Sequence, residues 1–397
     1  MLRLDDNKIH YTYSYCQQCG ACKAVCPKGA ISFEALANGL KNIVVDEKKC
    51  ITCKKCVRVC PANREQGYED YFDSLKDKKY FFAYNENKRI RHDSSSGGAC
   101  KTLIIESLKN GVVDGVYSLR RLENYPSAVG EFYTRENLPS YDTLPNSVYH
   151  SVMACTELSK VKKVHRLMIV GTSCQLYALE KSLKGKFDEL IKICIFCKQQ
   201  KHLGSTRWLA KAMGNSIPEN LIFSTRYRGE GWPGNLRVMG NQLPWNRAAG
   251  FPFGRRLWTV PGCNICGDPF GCEVGADVSL MDPWSIRQEN DLGETLVSVH
   301  TVKGLDLIKN TVCLVTEEKC YEEIRPALGE KDIWRKRIMV PFFRGEKVSA
   351  DVERAAKEEI KQRKQLERLL EFLPRMPFVF YRVLNRIIPK KRDLTLK

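Results

Sequence analysis

The chain has 397 residues, enough for a sizeable core and two or more domains. Its 64 Lys and Arg against 46 Asp and Glu leave a formal charge of +18, which favours an acidic protein, an anionic membrane surface or nucleic acid as partner. No apolar stretch is long enough to span a bilayer, and the opening MLRLDDNKIHY lacks the features of a secretory signal, so a cytoplasmic setting is expected. There the 18 cysteines stay reduced, and their clustering points to metal rather than to disulfides.

The first 72 residues carry one pattern twice. Cys16, Cys19, Cys22 and Cys26 are followed by Pro27, and Cys50, Cys53, Cys56 and Cys60 by Pro61. Both runs read C-x2-C-x2-C-x3-C-P. Three thiolates at this spacing wrap one corner of a 4Fe-4S cube, and the fourth crosses over to a second cube. The rule groups Cys16, Cys19 and Cys22 with Cys60, and Cys50, Cys53 and Cys56 with Cys26. Structural zinc also uses C-x2-C pairs, but it spaces them by about a dozen residues and does not interlock them. A strand pair is expected at AISFE and NIVVD. The segment is similar to bacterial two-cluster ferredoxins, an α+β ferredoxin-like unit.

From residue 78 to residue 345 strands and helices alternate, as in an α/β domain. YFFAYNE reads as a strand. Ser94 to Gly98 (SSSGG) then precede a helix that ends near Gly111. Free amides, hydroxyls and the helix dipole at such a start can hold an anion, such as the diphosphate of a dinucleotide. An ordinary serine-capped helix uses the same residues. RLMIVGTSCQLYALEKSL reads as a buried strand, a turn and a helix, and LIKICIFCKQQ as another buried strand. Continuous apolar runs of this kind suit a parallel sheet. Cys174 and Cys197 fall just past the two strands, at the edge where open α/β sheets bind ligands. Cys263 and Cys266 add a C-x2-C pair, which makes four ligands for a third cube, with Cys272 as a substitute. Cys100, Cys155, Cys194, Cys313 and Cys320 are read as small buried apolar residues.

The succession SSSGGA, GTSCQ, IFC, YRGEGWPGNL, CNICGDPFGCEVGADVSLMDPW and GETLVSVHTVKG resembles the beta subunit of coenzyme F420-reducing hydrogenases and dehydrogenases over roughly residues 80–340. In that family the catalytic domain holds FAD and a 4Fe-4S cluster. Members exchange hydride with the deazaflavin coenzyme F420. Others, such as 7-hydroxymethyl chlorophyll reductase, take electrons from ferredoxin to reduce another substrate. The resemblance implies FAD held by Ser95, Ser96, Gly97 and Gly98, with Thr301, Lys303 and Gly304 as further contacts. The function implied is that of an iron–sulfur flavoprotein oxidoreductase. The alternative is an electron-transfer adaptor subunit of a larger complex. Two positions depart from the family pattern: Ser173 replaces a proline, and Met281 a glycine, while Asp282 and Trp284 remain. The SSSGG and GWPG variants look most like bacterial members found with surface-polysaccharide synthesis. Arg226, Arg228 and the turn Gly231 to Gly234 can form the floor of the site or the substrate mouth, since guanidinium binds oxyanions bidentately. A solvated basic surface is the alternative. The six histidines show no metal spacing, and His92 and His300, beside the flavin segments, are read as packing residues before proton donors.

Residues 346–397 form a basic helical tail. A charged helix is expected from a cap near Ser349. After Pro374, Arg375, Arg382, Arg386, Lys390, Lys391 and Arg392 are interleaved with Phe378, Phe380, Tyr381, Leu384, Ile387 and Ile388. Such a segment can lie at the cytoplasmic face of an anionic membrane, or dock on protein. The expected partner is a redox protein or a small electron carrier, and no nucleic acid is expected.

Overall fold

The computed structural model describes residues 1–6, 8–65, 67, 71–248, 250–286, 290–373 and 378–387. The N-terminal segment opens on an antiparallel hairpin, Leu2–Asp5 with Lys8–Tyr11, which the sequence did not suggest. A second hairpin joins Ile31–Ala35 to Lys41–Val45, with Ile31 opposite Val45, as the alternating apolar residues implied. A single helical turn lies within each cysteine run, Ala21–Ala24 carrying Cys22 and Lys55–Arg58 carrying Cys56.

Eight strands then build one mixed sheet: β1 (Lys79–Asn85), β2 (Gly115–Arg121), β3 (Ala128–Tyr133), β4 (Arg166–Gly171), β5 (Glu189–Ile195), β6 (Val278–Met281), β7 (Thr295–Val299) and β8 (Leu314–Lys319). Their order is β8-β1-β7-β6-β5-β4-β2-β3. Strands β2, β4, β5 and β6 are parallel, as continuous apolar runs such as LMIV require. The expectation of a parallel sheet holds only for this centre. Strand β7 runs antiparallel to both β6 and β1, and β8 and β3 close the edges antiparallel. The reversal at β7 decides where its flanking loops lie.

Both faces are covered, so successive residues of one strand enter different cores. Phe81 and Ala83 pack with helix α2 (Ala99–Lys109), itself preceded by the short helix α1 (Lys88–Asp93). Tyr80 and Phe82 pack on the opposite side with Phe270 and Leu328. Ile169 and Leu167 face helix α3 (Ser173–Leu183) through Leu176 and Leu179. Cys19, Ala21 and Val59 belong to that same cluster, so the N-terminal segment is seated on α3. Helix α4 (Leu203–Ala212) and helix α5 (Val302–Asn310) complete the layers that bear on the site.

The tail is not a separate body. Helix α6 (Glu330–Phe343) packs Met339 against Val352, Ala355 and Ala356 of helix α7 (Ala350–Phe372), whose N-cap is Ser349, as expected. Glu359 is buried between Arg256 and Arg335, at 3.1 Å from each. Leu366 and Leu370 enter a core with Leu209 and Trp258. Helix α8 (Phe378–Ile387) turns Phe380 and Leu384 onto the same core and leaves Val383 and Ile387 exposed. Those contacts are what the docked alternative requires of Phe380 and Leu384. Arg375, Ile388, Lys390, Lys391 and Arg392 lie outside the described residues. No helix among the described residues is long and apolar enough to cross a membrane.

Candidate active site

The twelve cysteines singled out from spacing form three quartets. The Cys22 thiol is pushed well above its ordinary pKa by burial, then by Cys19, Cys16 and Cys60. Burial likewise pushes Cys56 to about 11, with Cys26, Cys50 and Cys53 as its thiol neighbours. Cys174 is pushed up by burial and then by Cys266, Cys197 and Cys263, and Cys197 reaches about 12. Four thiols crowded in a dry site resist ionisation unless a cation takes their charge. Among the described residues no three His, Cys, Asp or Glu side chains close on a single ion. A 4Fe-4S cube asks for something else, because each thiolate bonds a different iron. The donor chemistry fits that group.

Backbone and amide donors already point at these sulfurs. Ala30 N–H donates to Cys26 Sγ at 3.2 Å and Gln18 Nε2 to Cys16 Sγ at 3.3 Å. Gln200 N–H donates to Cys263 Sγ at 3.3 Å, and its side chain reaches Cys174 Sγ at 3.9 Å. Such bonds favour thiolate and tune a bound cluster.

The quartets lie in succession. Cys56 is a charge neighbour of Cys22, which ties the outer quartet (Cys26, Cys50, Cys53, Cys56) to the middle one (Cys16, Cys19, Cys22, Cys60). Cys155 N–H donates to Cys19 O at 2.8 Å, and the Cys155 thiol has both Cys19 and Cys174 as neighbours. The middle quartet thus abuts the inner one (Cys174, Cys197, Cys263, Cys266). Gln17 Nε2 donates to Gly262 O at 3.3 Å, and a side chain on Gly262 would collide with the Cys16 carbonyl. Cys155 is buried as expected, but against Cys19. Cys272 stands apart from the inner quartet, beside His300 at 3.8 Å.

A buried charge network locks the junction. Arg64 donates to Ser173 Oγ at 2.9 Å and pairs with Asp268 at 3.4 Å. Ser173 Oγ and Tyr71 Oη donate to Asp268 at 2.7 and 2.9 Å. Ser173, the departure from the family's proline, therefore gives its hydroxyl to this network. Glu273 and Arg337 continue it at 2.9 Å.

The serine loop sits at the carboxyl edge of the sheet, like Cys174 and Cys197. Its hydroxyls are engaged: Ser95 Oγ accepts from Ser147 N–H at 2.7 Å, and Ser96 Oγ donates to Glu294 O at 2.8 Å. Gly97 is packed on β1, where a Cβ would lie 2.6 Å from Ala83 O. Its smallness thus serves the sheet. Gly98, at φ +81°, caps α2. Arg228 is fully buried, not a solvated surface. It binds Ser95 O, Pro233 O and Asp282, and lies 5.1, 5.4 and 5.2 Å from the rings of Trp232, Trp245 and Trp284. It positions the serine loop and the GWPG turn together.

Thr301, Lys303 and Gly304 are not brought to this loop. The reversed direction of β7 delivers them to the opposite edge of the sheet. There Thr301 caps α5, accepting from Gly304 N–H at 3.0 Å and donating to Asp277 at 2.7 Å, and Lys303 binds Leu190 O. Burial, then Lys78, lowers the His300 pKa to about 4, which favours the neutral imidazole. His92 is half-exposed beside Asp93 at 3.1 Å.

A cleft of about 360 Å³ opens beside α1 and Ser94, walled by residues 140–148 and by Thr225 to Tyr227; Ser95 to Gly98 do not line it. Arg89, Lys101, Arg121 and Arg226 line it against Asp93 and Asp142. Burial lowers the Lys101 ammonium to about 8, with Arg226 adding to the effect. Two lining residues, Ser127 and Asn146, each hold a buried side-chain oxygen without a partner among the described residues. Volume, charge and these orphan oxygens fit an anionic ring-bearing ligand such as a flavin nucleotide. No spacing rule could have found Gln17, Arg64, Gln200 or Asp268, whose partners are far away in sequence.

Comparison with known proteins finds two kinds of family along the chain. A 4Fe-4S dicluster domain model matches residues 15–64 and a second one residues 42–94. The N-terminal and C-terminal models of the coenzyme F420 hydrogenase/dehydrogenase beta subunit match residues 80–132 and 164–320. An F(420)H(2) dehydrogenase subunit of Methanosarcina mazei is 24% identical over 199 residues, 48% of this chain and 55% of that protein. The chain thus spans about half the length of that relative. A ferredoxin-like protein in the nif region of Rhizobium leguminosarum is 44% identical over 54 residues, 12% of this chain and 77% of its own length. Among solved structures, a chain of the F420-reducing NiFe hydrogenase complex from Methanosarcina barkeri is 17% identical, with a TM-score of 0.47 over 71% of this chain and 93% of that one. The chain belongs to the family of coenzyme F420 hydrogenase/dehydrogenase beta subunits, with a two-cluster 4Fe-4S domain in front of the family's α/β domain.

Proposed function

We propose that the chain is a cytoplasmic, FAD-dependent iron–sulfur oxidoreductase that exchanges electrons between a one-electron carrier and coenzyme F420 or another organic substrate. The observation that carries this reading is the succession of three thiol quartets ending at the sheet edge that also bears the basic cleft. A flavin converts between two-electron and one-electron carriers, and cubes carry single electrons. Cys16, Cys19, Cys22 and Cys60 would hold one cube, Cys26, Cys50, Cys53 and Cys56 a second, and Cys174, Cys197, Cys263 and Cys266 a third. Gln200 and Gln18 donate to their sulfurs. Arg89, Lys101, Arg121 and Arg226 supply positive charge for phosphate in the cleft. Arg228, held by three tryptophans, keeps Ser95 and Asp282 in register. At the serine loop the Ser95 and Ser96 hydroxyls are engaged and Gly98 N–H donates to Ser96 O, so a flavin contact from Ser95 to Gly97 would come from backbone amides.

The adaptor alternative keeps the quartets and drops the flavin. The relative's name, that of one part of a dehydrogenase, supports a place in a larger assembly. Anaerobic purification of the full chain, with acid release and identification of its cofactor, separates the two. We expect one FAD per chain, bleached together with the cluster absorbance when reduced F420 or reduced ferredoxin is added. Protein with full clusters and no flavin would leave only the adaptor.

A further inference from the structure

The middle and inner quartets each have three buried thiols, with Cys60 and Cys197 partly covered, whereas in the outer quartet only Cys56 is buried. Cys16, Cys19 and Cys22 are buried, whereas Cys26, Cys50 and Cys53 are only partly covered. The space that these last three line with Cys56 is rimmed by Lys28, Ile51, Lys54 and Lys55. Ile51, a large aliphatic residue directly between two ligands, is 54% exposed. Thr52 and Lys54 both take positive φ, 50° and 62°, a backbone that non-glycine residues rarely adopt. That turn carries the chain over the quartet with Ile51, Lys54 and Lys55 all facing solvent.

The charges at this rim are one-sided. Nearby Lys8 and Lys49 are neutralised, by Glu47 at 3.1 Å and Asp46 at 3.3 Å. Lys28, Lys54 and Lys55 are exposed and carry no ion pair among the described residues. An isolated apolar side chain ringed by unpaired ammonium groups, above redox ligands, matches the layout of a transient protein contact: a small apolar centre and a charged, steering rim.

We propose that this face docks a small acidic protein carrying a one-electron group. Ile51 seats the contact, and Lys28, Lys54 and Lys55 steer it. The inference rests on the iron–sulfur part of the proposed function. In the step, one electron leaves the reduced acidic protein, which is oxidised, and enters the group held by Cys26, Cys50, Cys53 and Cys56, which is reduced. No bond forms or breaks and no proton moves, so the contact needs only closeness and orientation.

The test uses the full, cluster-loaded chain. Lys28→Glu, Lys54→Glu and Lys55→Glu are combined, and iron and sulfide content are measured first. A second variant reverses Lys184, Lys211 and Lys361, exposed residues elsewhere, and so makes the same change in net charge. Stopped-flow reduction of the clusters is followed with two donors: a reduced acidic plant-type ferredoxin, and photoreduced 5-deazariboflavin, which is small and uncharged. With ferredoxin at low salt, the rim variant is expected to be reduced at least about tenfold more slowly than wild type, and the gap to narrow as salt is raised. The control variant stays within about twofold of wild type. Both variants keep the wild-type rate with deazariboflavin. Equal loss in the two variants would overturn the docking face, since net charge alone would then suffice. So would an unchanged rate with ferredoxin, or equal loss with both donors. Failure of deazariboflavin to reduce clusters in wild type would instead count against the iron–sulfur reading itself.

Discussion

Replacing Arg64 with glutamine should loosen the seat of the N-terminal domain far more than a surface change would. Arg64 is the sole guanidinium paired with Asp268 among the described residues, and the Asp268 side chain is fully buried. Removing one partner of a buried pair costs about 3–5 kcal/mol, because the other charge is left uncompensated. Asp268 keeps two donors, Ser173 at 2.7 Å and Tyr71 at 2.9 Å, so the lower end, about 3 kcal/mol, applies. The double variant Arg64→Gln, Asp268→Asn removes the stranded charge. It should lose only about 1 kcal/mol, the scale of neutral hydrogen bonds. The assay is anaerobic unfolding in guanidinium, followed by loss of cluster absorbance, for wild type, both single variants and the double. About 3 kcal/mol amounts to roughly a hundredfold in the folded-to-unfolded ratio. A double variant about 2 kcal/mol more stable than Arg64→Gln alone supports the reasoning. Equal losses in the single and double variants would refute it, as would an Arg64→Gln protein as stable as wild type.

Two further outcomes follow from the site. Cys174→Ser should lower anaerobic iron and sulfide from about twelve to about eight of each per chain, because only the inner quartet loses a ligand; a wild-type count near eight would remove the third cube. Binding of inorganic pyrophosphate in the cleft should weaken as pH rises through about 8, where the Lys101 ammonium, lowered by burial and then by Arg226, gives up its proton. The sign is that of a cation lost: Lys101 is charged below that pH and neutral above it. Isothermal titration from pH 7 to pH 10 should show the fall in wild type and its absence in Lys101→Met; parallel curves would place the anion elsewhere.

Some of this was legible from spacing and some was not, and the difference is physical. The cysteines of the first two quartets lie within a few residues of one another, and each run meets the other through a fixed crossing rule, so local pattern sufficed to group them. Cys174 and Cys197 were found because strands of a parallel sheet end on one edge, and that holds for β4 and β5. Thr301, Lys303 and Gly304, which the family resemblance supplied, lie at the other edge of the sheet. Their strand, β7, is apolar on both faces like its neighbours but runs the other way, and nothing in TLVSV encodes direction. Gly97 was read as room for phosphate, yet its contact is with Ala83 and Tyr84, across a loop that only the fold closes. The tail was legible as a capped helix but not in its packing: charge dominates its composition, yet Glu359 and Arg363 spend theirs inward, on Arg256, Arg335 and Asn264.

Asn264 stands between Cys263 and Cys266 and accepts from Arg256 at 3.4 Å and from Arg363 at 3.3 Å. Helix α7, through Arg363, therefore holds the loop of Cys263 and Cys266 from one side. Gln17 and Arg64 of the N-terminal domain hold its neighbourhood from the other, through Gly262 and Asp268. The Gln17–Gly262 bond spans 245 residues. Cysteine spacing can specify which sulfurs share a cube, since each run must wrap locally. It cannot specify how close two cubes stand, since that distance is set by long-range contacts of this kind. In this chain those contacts come from both ends and meet at residues 262–268, so the junction between the middle and inner quartets is the most heavily braced point of the path, while the outer quartet is left to the surface.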